Sequence, residues 1–108
     1  MSSNPLRNTG PNKEFFRIGE VGRLTGLEPH VIRYWETEFS QIRPYKTGSK
    51  QRLYGKKEIE TILFVKRLLY EEGYTIAGAK KRLNNGGDLE QAIDLAKREL
   101  REILEILK

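Results

Sequence analysis

At 108 residues, with hydrophobic side chains at 37% and no cysteine, the chain has room for one small domain plus an appendage, and no means of forming a disulfide or a thiolate metal site. Its 20 Lys and Arg residues outnumber the 15 Asp and Glu, for a net charge of +5, which favours a polyanionic partner. No apolar run is long enough to span a bilayer and Met1-Ser-Ser-Asn-Pro lacks a signal-peptide core, so neither membrane insertion nor secretion is expected, and a cytoplasmic location is.

Residues 1–14 (MSSNPLRNTGPNKE) mix Pro, Gly, Asn and Ser with almost nothing apolar, and are expected to form a flexible tail. From Phe15 the pattern changes. Ile18, Val21 and Leu24 recur with the spacing of a short helix's buried stripe, which Thr25-Gly26 breaks. Pro29 suits the first position of a second helix, because it has no N–H to leave unsatisfied, and Val31, Ile32 and Trp35 supply that helix's inner face. Two short helices joined by a Gly-containing turn make a helix-turn-helix candidate.

Residues 43–57 (RPYKTGSKQRLYGKK) carry six cations and no anion. Gly48-Ser49 is the expected centre of a hairpin turn, with Tyr45 and Leu53-Tyr54 on its arms. An isolated charge run is a solvated face, whereas a cationic hairpin carrying tyrosines suits the groove of a nucleic acid. A longer helix is expected from about Lys57 to Glu72, with Ile59, Ile62, Leu63, Val65 and Leu69 on a wide apolar face and Gly73 at its end. Thr75 can cap a further short helix whose inner residues are Ile76, Ala79 and Leu83, and Asn84-Asn85-Gly86-Gly87 closes the globular part.

Asp88 is a candidate N-cap for a last helix, in which Leu89, Ile93, Ala96, Leu100, Ile103 and Leu107 follow at steps of four and three, as a heptad seam does. A lone helix of this length is marginal in water and must cover that seam, either by folding back on its own domain or by pairing with a second copy. The narrowness of the seam and the joint at residues 84–87 favour pairing. Charge divides at the same place: residues 1–87 hold 16 Lys and Arg against 9 Asp and Glu (+7), while residues 88–108 hold 4 against 6 (−2). The positive potential therefore lies on the globular part, and the last helix suits a protein partner. The expected organisation is a tail over 1–14, a globular domain over 15–87 and a dimerisation helix over 88–108.

Five motifs in order, Phe16-Arg17-Ile18-Gly19-Glu20-Val21, Leu24-Thr25-Gly26-Leu27, Val31-Ile32-Arg33-Tyr34-Trp35-Glu36, Arg52-Leu53-Tyr54 and Glu72-Gly73-Tyr74-Thr75-Ile76, resemble the MerR family of bacterial transcription regulators over roughly residues 15–84. Trp35 and Phe39, without the family's usual Gly-Leu after the second helix, resemble its MlrA-like subgroup. The resemblance implies a mainly α fold: a winged helix-turn-helix with a small β-hairpin wing and a second helical wing, followed by a C-terminal dimerisation helix. It implies binding of double-stranded promoter DNA as a homodimer, at the nucleoid, with the promoter bent and untwisted so that RNA polymerase engages it.

Carried over by position, the helix from Pro29 to about Thr37 becomes the recognition helix, with His30, Arg33 and Tyr34 pointing outward. Lys46, Lys50, Arg52 and Tyr54 grip flanking phosphates from the wing, and Ile18 brings its backbone N–H to a phosphate at the start of the first helix, beside Arg17. Leu89, Ile93, Ala96, Leu100, Ile103 and Leu107 form the dimer interface. Arg17 and Glu28 depart from the family pattern, standing where small hydroxyl caps are usual. Arg33 has a plainer alternative, a surface pairing with its Glu36 or Thr37 neighbours, and Tyr54 and Tyr74 have another, as core aromatics.

No enzymatic activity and no cofactor are expected: the chain has one histidine, His30, no cysteine and no phosphate-cradling glycine loop. The sequence ends at Lys108, so no sensor domain is expected either. Two other classes fit the same composition, an architectural or excisionase-like DNA-binding protein and a protein-interaction adaptor whose basic face serves solubility.

Overall fold

A computed structural model describes residues 14–84 and 86–106 of the chain, and for residues 86–93 the backbone alone. The tail expected over 1–14 therefore lies, Glu14 apart, outside the described residues, as do Leu107 and the side chains of Leu89 and Ile93. The chain runs β1 (Phe15–Arg17), α1 (Ile18–Thr25), α2 (Pro29–Glu38), β2 (Tyr45–Lys46), β3 (Arg52–Gly55), α3 (Lys56–Lys66) with a π-helical turn over Arg67–Glu71, α4 (Ile76–Asn84) and α5 (Gly86–Ile106). This is the mainly α winged helix-turn-helix that the sequence leads one to expect, with a small sheet and a C-terminal helix. Among the described residues no helix is long and apolar enough to cross a membrane.

Local chemistry sets the helix ends. Arg17, at the N-cap of α1, has no side-chain acceptor to offer, and the vacant role is filled from the other direction, the Glu20 carboxylate accepting the Arg17 N–H at 2.9 Å. At the far end Gly26 takes a left-handed conformation (φ 74°), and its N–H and that of Leu27 both reach the Gly22 carbonyl, at 2.8 and 3.1 Å. The turn passes so close to α1 that a Cβ on Gly22 stands 2.8 Å from the Leu27 carbonyl oxygen. Pro29 then opens α2, with Ile32 and Trp35 buried beneath it.

The sheet holds one strand more than the hairpin alone. β1 pairs antiparallel with β3 (Phe16 opposite Tyr54), and β2 pairs with the other edge of β3 (Lys46 opposite Arg52), giving the order β1-β3-β2. Gly48 and Ser49 form the turn as expected, but the left-handed residue is Lys50 (φ 65°), whose N–H bonds the Thr47 carbonyl at 2.9 Å.

α3 is the centre of the fold. Its residues Ile59 to Val65 are all buried, so it is covered on every side rather than along one face. α1 and β3 pack on it, and the Lys66 ammonium reaches back to donate to the Thr25 carbonyl at 2.6 Å, at the C-terminal end of α1. The helix expected to continue evenly to Glu72 widens instead into the π turn, where the Glu72 N–H bonds the Arg67 carbonyl five residues back at 3.0 Å, before Gly73 (φ 72°) ends it. In α4 the Thr75 hydroxyl accepts the Gly78 N–H at 3.0 Å, and Ala79 and Leu83 face inward.

The seam of α5 requires a correction. Ala96 and Leu100, expected to meet a second copy, are each only 2% exposed within this chain and join the core cluster, with Ile103 packed against it. The physical reason is α3, whose residues Ile59 to Val65 need cover on every side, part of which α5 supplies. Burial also pushes the Glu60 carboxyl of α3 upward, opposed by Lys97 of α5. α5 begins at Gly86, ahead of the expected cap at Asp88. Leu100→Ala is therefore expected to lower stability by about 2–5 kcal/mol in urea melts, by the same amount at every protein concentration. A loss that appears only at high concentration contradicts this packing.

Candidate nucleic-acid interface

The helix-turn-helix presents α2 with two distinct sides. Ile32 (0% exposed) and Trp35 (2%) are inside, while His30, Arg33 and Tyr34, the last 52% exposed, are outside. The alternation follows from helical geometry: residues 32 and 35 share a face that residues 30, 33 and 34 do not. Among the described residues Arg33 forms no ion pair, and the alternative pairing with Glu36 is not made, because Glu36 is engaged elsewhere. The Arg33 guanidinium is thus available to a ligand.

The hairpin and β1 add further cations. Lys46 and Lys50 are exposed, as is Arg17 at the junction of β1 and α1. The left-handed turn at Lys50 is pinned by the Thr47 N–H bonding the Gln51 carbonyl at 3.0 Å and by a Thr47–Ser49 hydroxyl contact at 2.9 Å, which holds the Lys50 ammonium at the tip. Tyr45, 57% exposed, stands edge-on to Phe15 with ring centroids 5.4 Å apart. Ile18 opens α1, where first-turn N–H groups have no acceptor within the helix and the positive end of the helix dipole faces outward.

Two wing residues do not behave as the resemblance implies. Tyr54 is fully buried, and its hydroxyl donates to Glu36 Oε2 instead of facing outward. The plainer alternative, a core aromatic, is what the fold holds. Arg52 is partly exposed, but its Nε donates to Glu36 Oε1 at 3.1 Å, so its charge is paired. The sequence offers Glu36 only as a partner for Arg33, and gives no sign that it pairs with the hairpin. Tyr74, the other aromatic in question, is half-buried and accepts a hydrogen bond from Arg82 at 2.8 Å.

Burial, reinforced by the hydrogen bond and charge of Glu36 and opposed by Arg52 and Arg33, pushes the Tyr54 phenol far above its ordinary value. The two Glu36 contacts also show α2 and β3 to be near neighbours. Folded and unfolded states both keep the proton below the ordinary phenol value of about pH 10; above it the unfolded chain ionises first and the fold loses stability. The unfolding free energy is expected to fall as pH rises beyond that point, and less steeply in Tyr54→Phe. Equal steepness in the two proteins contradicts the assignment.

A helix-turn-helix whose second helix exposes Arg33, flanked by a cationic hairpin, defines a winged DNA-binding domain. Residues 16–86 match the MerR HTH family of regulatory proteins, and the chain belongs to that family, a class of DNA-binding transcription regulators. It is 34% identical over 64 residues to the HTH-type transcriptional repressor CarA of Myxococcus xanthus, covering 58% of this chain and 22% of CarA. It is 33% identical over 96 residues to the HTH-type transcriptional regulator GlnR of Bacillus anthracis, covering 82% of this chain and 73% of GlnR. Identity to the HTH-type transcriptional regulator MlrA of Escherichia coli is 29% over 70 residues, covering 65% of this chain and 28% of MlrA. No solved structure matches significantly.

Proposed function

We propose that the chain regulates transcription from the bacterial nucleoid by binding promoter DNA as a homodimer, with α2 in the major groove and the β2–β3 hairpin along the flanking backbone. The observation that carries this reading is the exposure of Arg33 and Tyr34 beside the buried Ile32 and Trp35. Arg33 and Tyr34 contact phosphate and the groove edge, His30 lies at the leading end of α2, and Lys46 and Lys50 each neutralise a phosphate. Arg17 and the Ile18 N–H meet a further phosphate at the positive end of α1. Arg52 and Tyr54 leave the contact set, being committed to Glu36.

Since Ala96 and Leu100 serve their own core, pairing of two copies falls to the neighbouring flank of α5, where Leu95 and Ile106 are 46% and 81% exposed. Two domains so joined present two recognition helices to one duplex, and the sum of their phosphate contacts offsets the elastic cost of deforming the promoter for RNA polymerase.

The test begins with selection of bound genomic fragments, which are expected to be inverted repeats between promoter elements. On a selected duplex, Lys46→Ala and Lys50→Ala are each expected to lower the slope of log affinity against log salt by about one unit. Arg33→Ala is expected to weaken that complex by about 1–3 kcal/mol. Salt-independent binding, or selected sites without symmetry, contradicts the reading.

A further inference from the structure

We propose that Glu36 is a positioning residue that braces the recognition helix to the hairpin, and that it thereby removes Arg52 from the cations available to phosphate. The inference rests on the DNA-binding reading above and deepens it.

The backbone of α2 packs mainly on α1, and the hairpin is not an immediate continuation of either. Ile32, Trp35 and Tyr54 share one core, and among the described residues the polar contacts between the two elements are made by Glu36, on α2 beside the buried Trp35, with its side chain only 11% exposed. Each carboxylate oxygen has its own donor: Oε1 takes Arg52 Nε at 3.1 Å, and Oε2 takes the Tyr54 hydroxyl. Arg52 and Tyr54 stand two residues apart on β3, so the strand's pleat aims both at one point. One carboxylate therefore clamps two successive same-side residues of the strand. Tyr54 cannot move to suit it, because the ring is fully buried opposite Phe16 of β1, and Phe16 is itself only 3% exposed. A nearly buried carboxylate that lost these donors carries a large desolvation cost, so the clamp stays closed in the folded chain.

Two consequences follow for DNA. A duplex that engages α2 in its groove and Lys46 and Lys50 on its backbone needs the helix and the hairpin at a fixed separation, which the clamp sets. The Arg52–Glu36 pair is also neutral as a unit, and releases no counterion when the surface meets a polyanion.

The experiment measures affinity for a selected duplex and for an unrelated duplex over a range of salt concentrations, with melting followed in parallel. Glu36→Gln frees Arg52: the salt slope steepens by about one unit, while affinity for the selected duplex falls about tenfold and that for the unrelated duplex holds or rises. Glu36→Gln with Arg52→Gln returns the slope to that of the parent chain and keeps the loss of selective affinity. Tyr54→Phe leaves both charges and cuts one arm of the clamp, so selective affinity falls at unchanged slope even where Glu36→Gln folds poorly.

Tighter binding of Glu36→Gln to both duplexes, as removal of an anion alone produces, overturns the proposal. So does a slope lowered by about one unit in the double variant, which makes Arg52 a phosphate contact. Equal losses on both duplexes that track the melting temperature reduce Glu36 to a folding role and also overturn it. If Lys46→Ala and Lys50→Ala leave the slope untouched, the DNA-binding reading of the hairpin fails instead, separately from the clamp.

Discussion

Everything in this domain is arranged around one helix that cannot face water. Ile59, Ile62, Leu63, Phe64 and Val65 of α3 are apolar and buried on more than one side, so the helix is stable only when sheathed. The helix-turn-helix covers one side and α5 another. The outward face of α2 is a consequence of this demand: Ile32 and Trp35 are drawn into the core, and the remaining turns of a ten-residue helix leave Arg33 and Tyr34 outside. Lys66 ties the sheath to the pillar by satisfying a carbonyl at the end of α1 that the helix itself cannot.

The same economy of cover explains why α5 does not act as a free zipper. A stripe of apolar residues at steps of four and three is suited equally to a neighbour in the same chain and to a second chain, and the nearest unsatisfied apolar surface takes it first. Here that surface is α3, which claims Ala96 and Leu100.

Signals confined to a few adjacent residues were legible: the three-residue stripe of α1, Gly26 after it, Pro29 at the head of α2, Gly48-Ser49 in the turn, Gly73 and Thr75 around the last bend. Each acts through local backbone chemistry that a sequence displays directly. Features that depend on distant partners were not. β1 is a strand only because β3 lies beside it, far along the chain, and three residues carry no period of their own. Tyr54 sits in a cationic motif that suggests a groove contact, yet the register that turns Tyr54 toward Phe16 and the core is decided by the pairing of β3 with β1. Glu36 shows the same limit: nothing in its neighbours along α2 indicates that its partners are on a strand sixteen and eighteen residues away. The π turn after Lys66 likewise left no mark in the periodicity.

The central claim is that α2, the hairpin tip and the start of α1 make one DNA-facing surface, with α5 apart from it. Backbone amide NMR shifts, followed while a selected duplex is titrated into the protein, test this most directly. The account predicts that the perturbed amides cluster at Arg17 to Gly19, His30 to Tyr34 and Tyr45 to Lys50, with Lys97 to Leu104 little changed. Shifts centred on α5, or a hairpin tip that does not respond, contradict it.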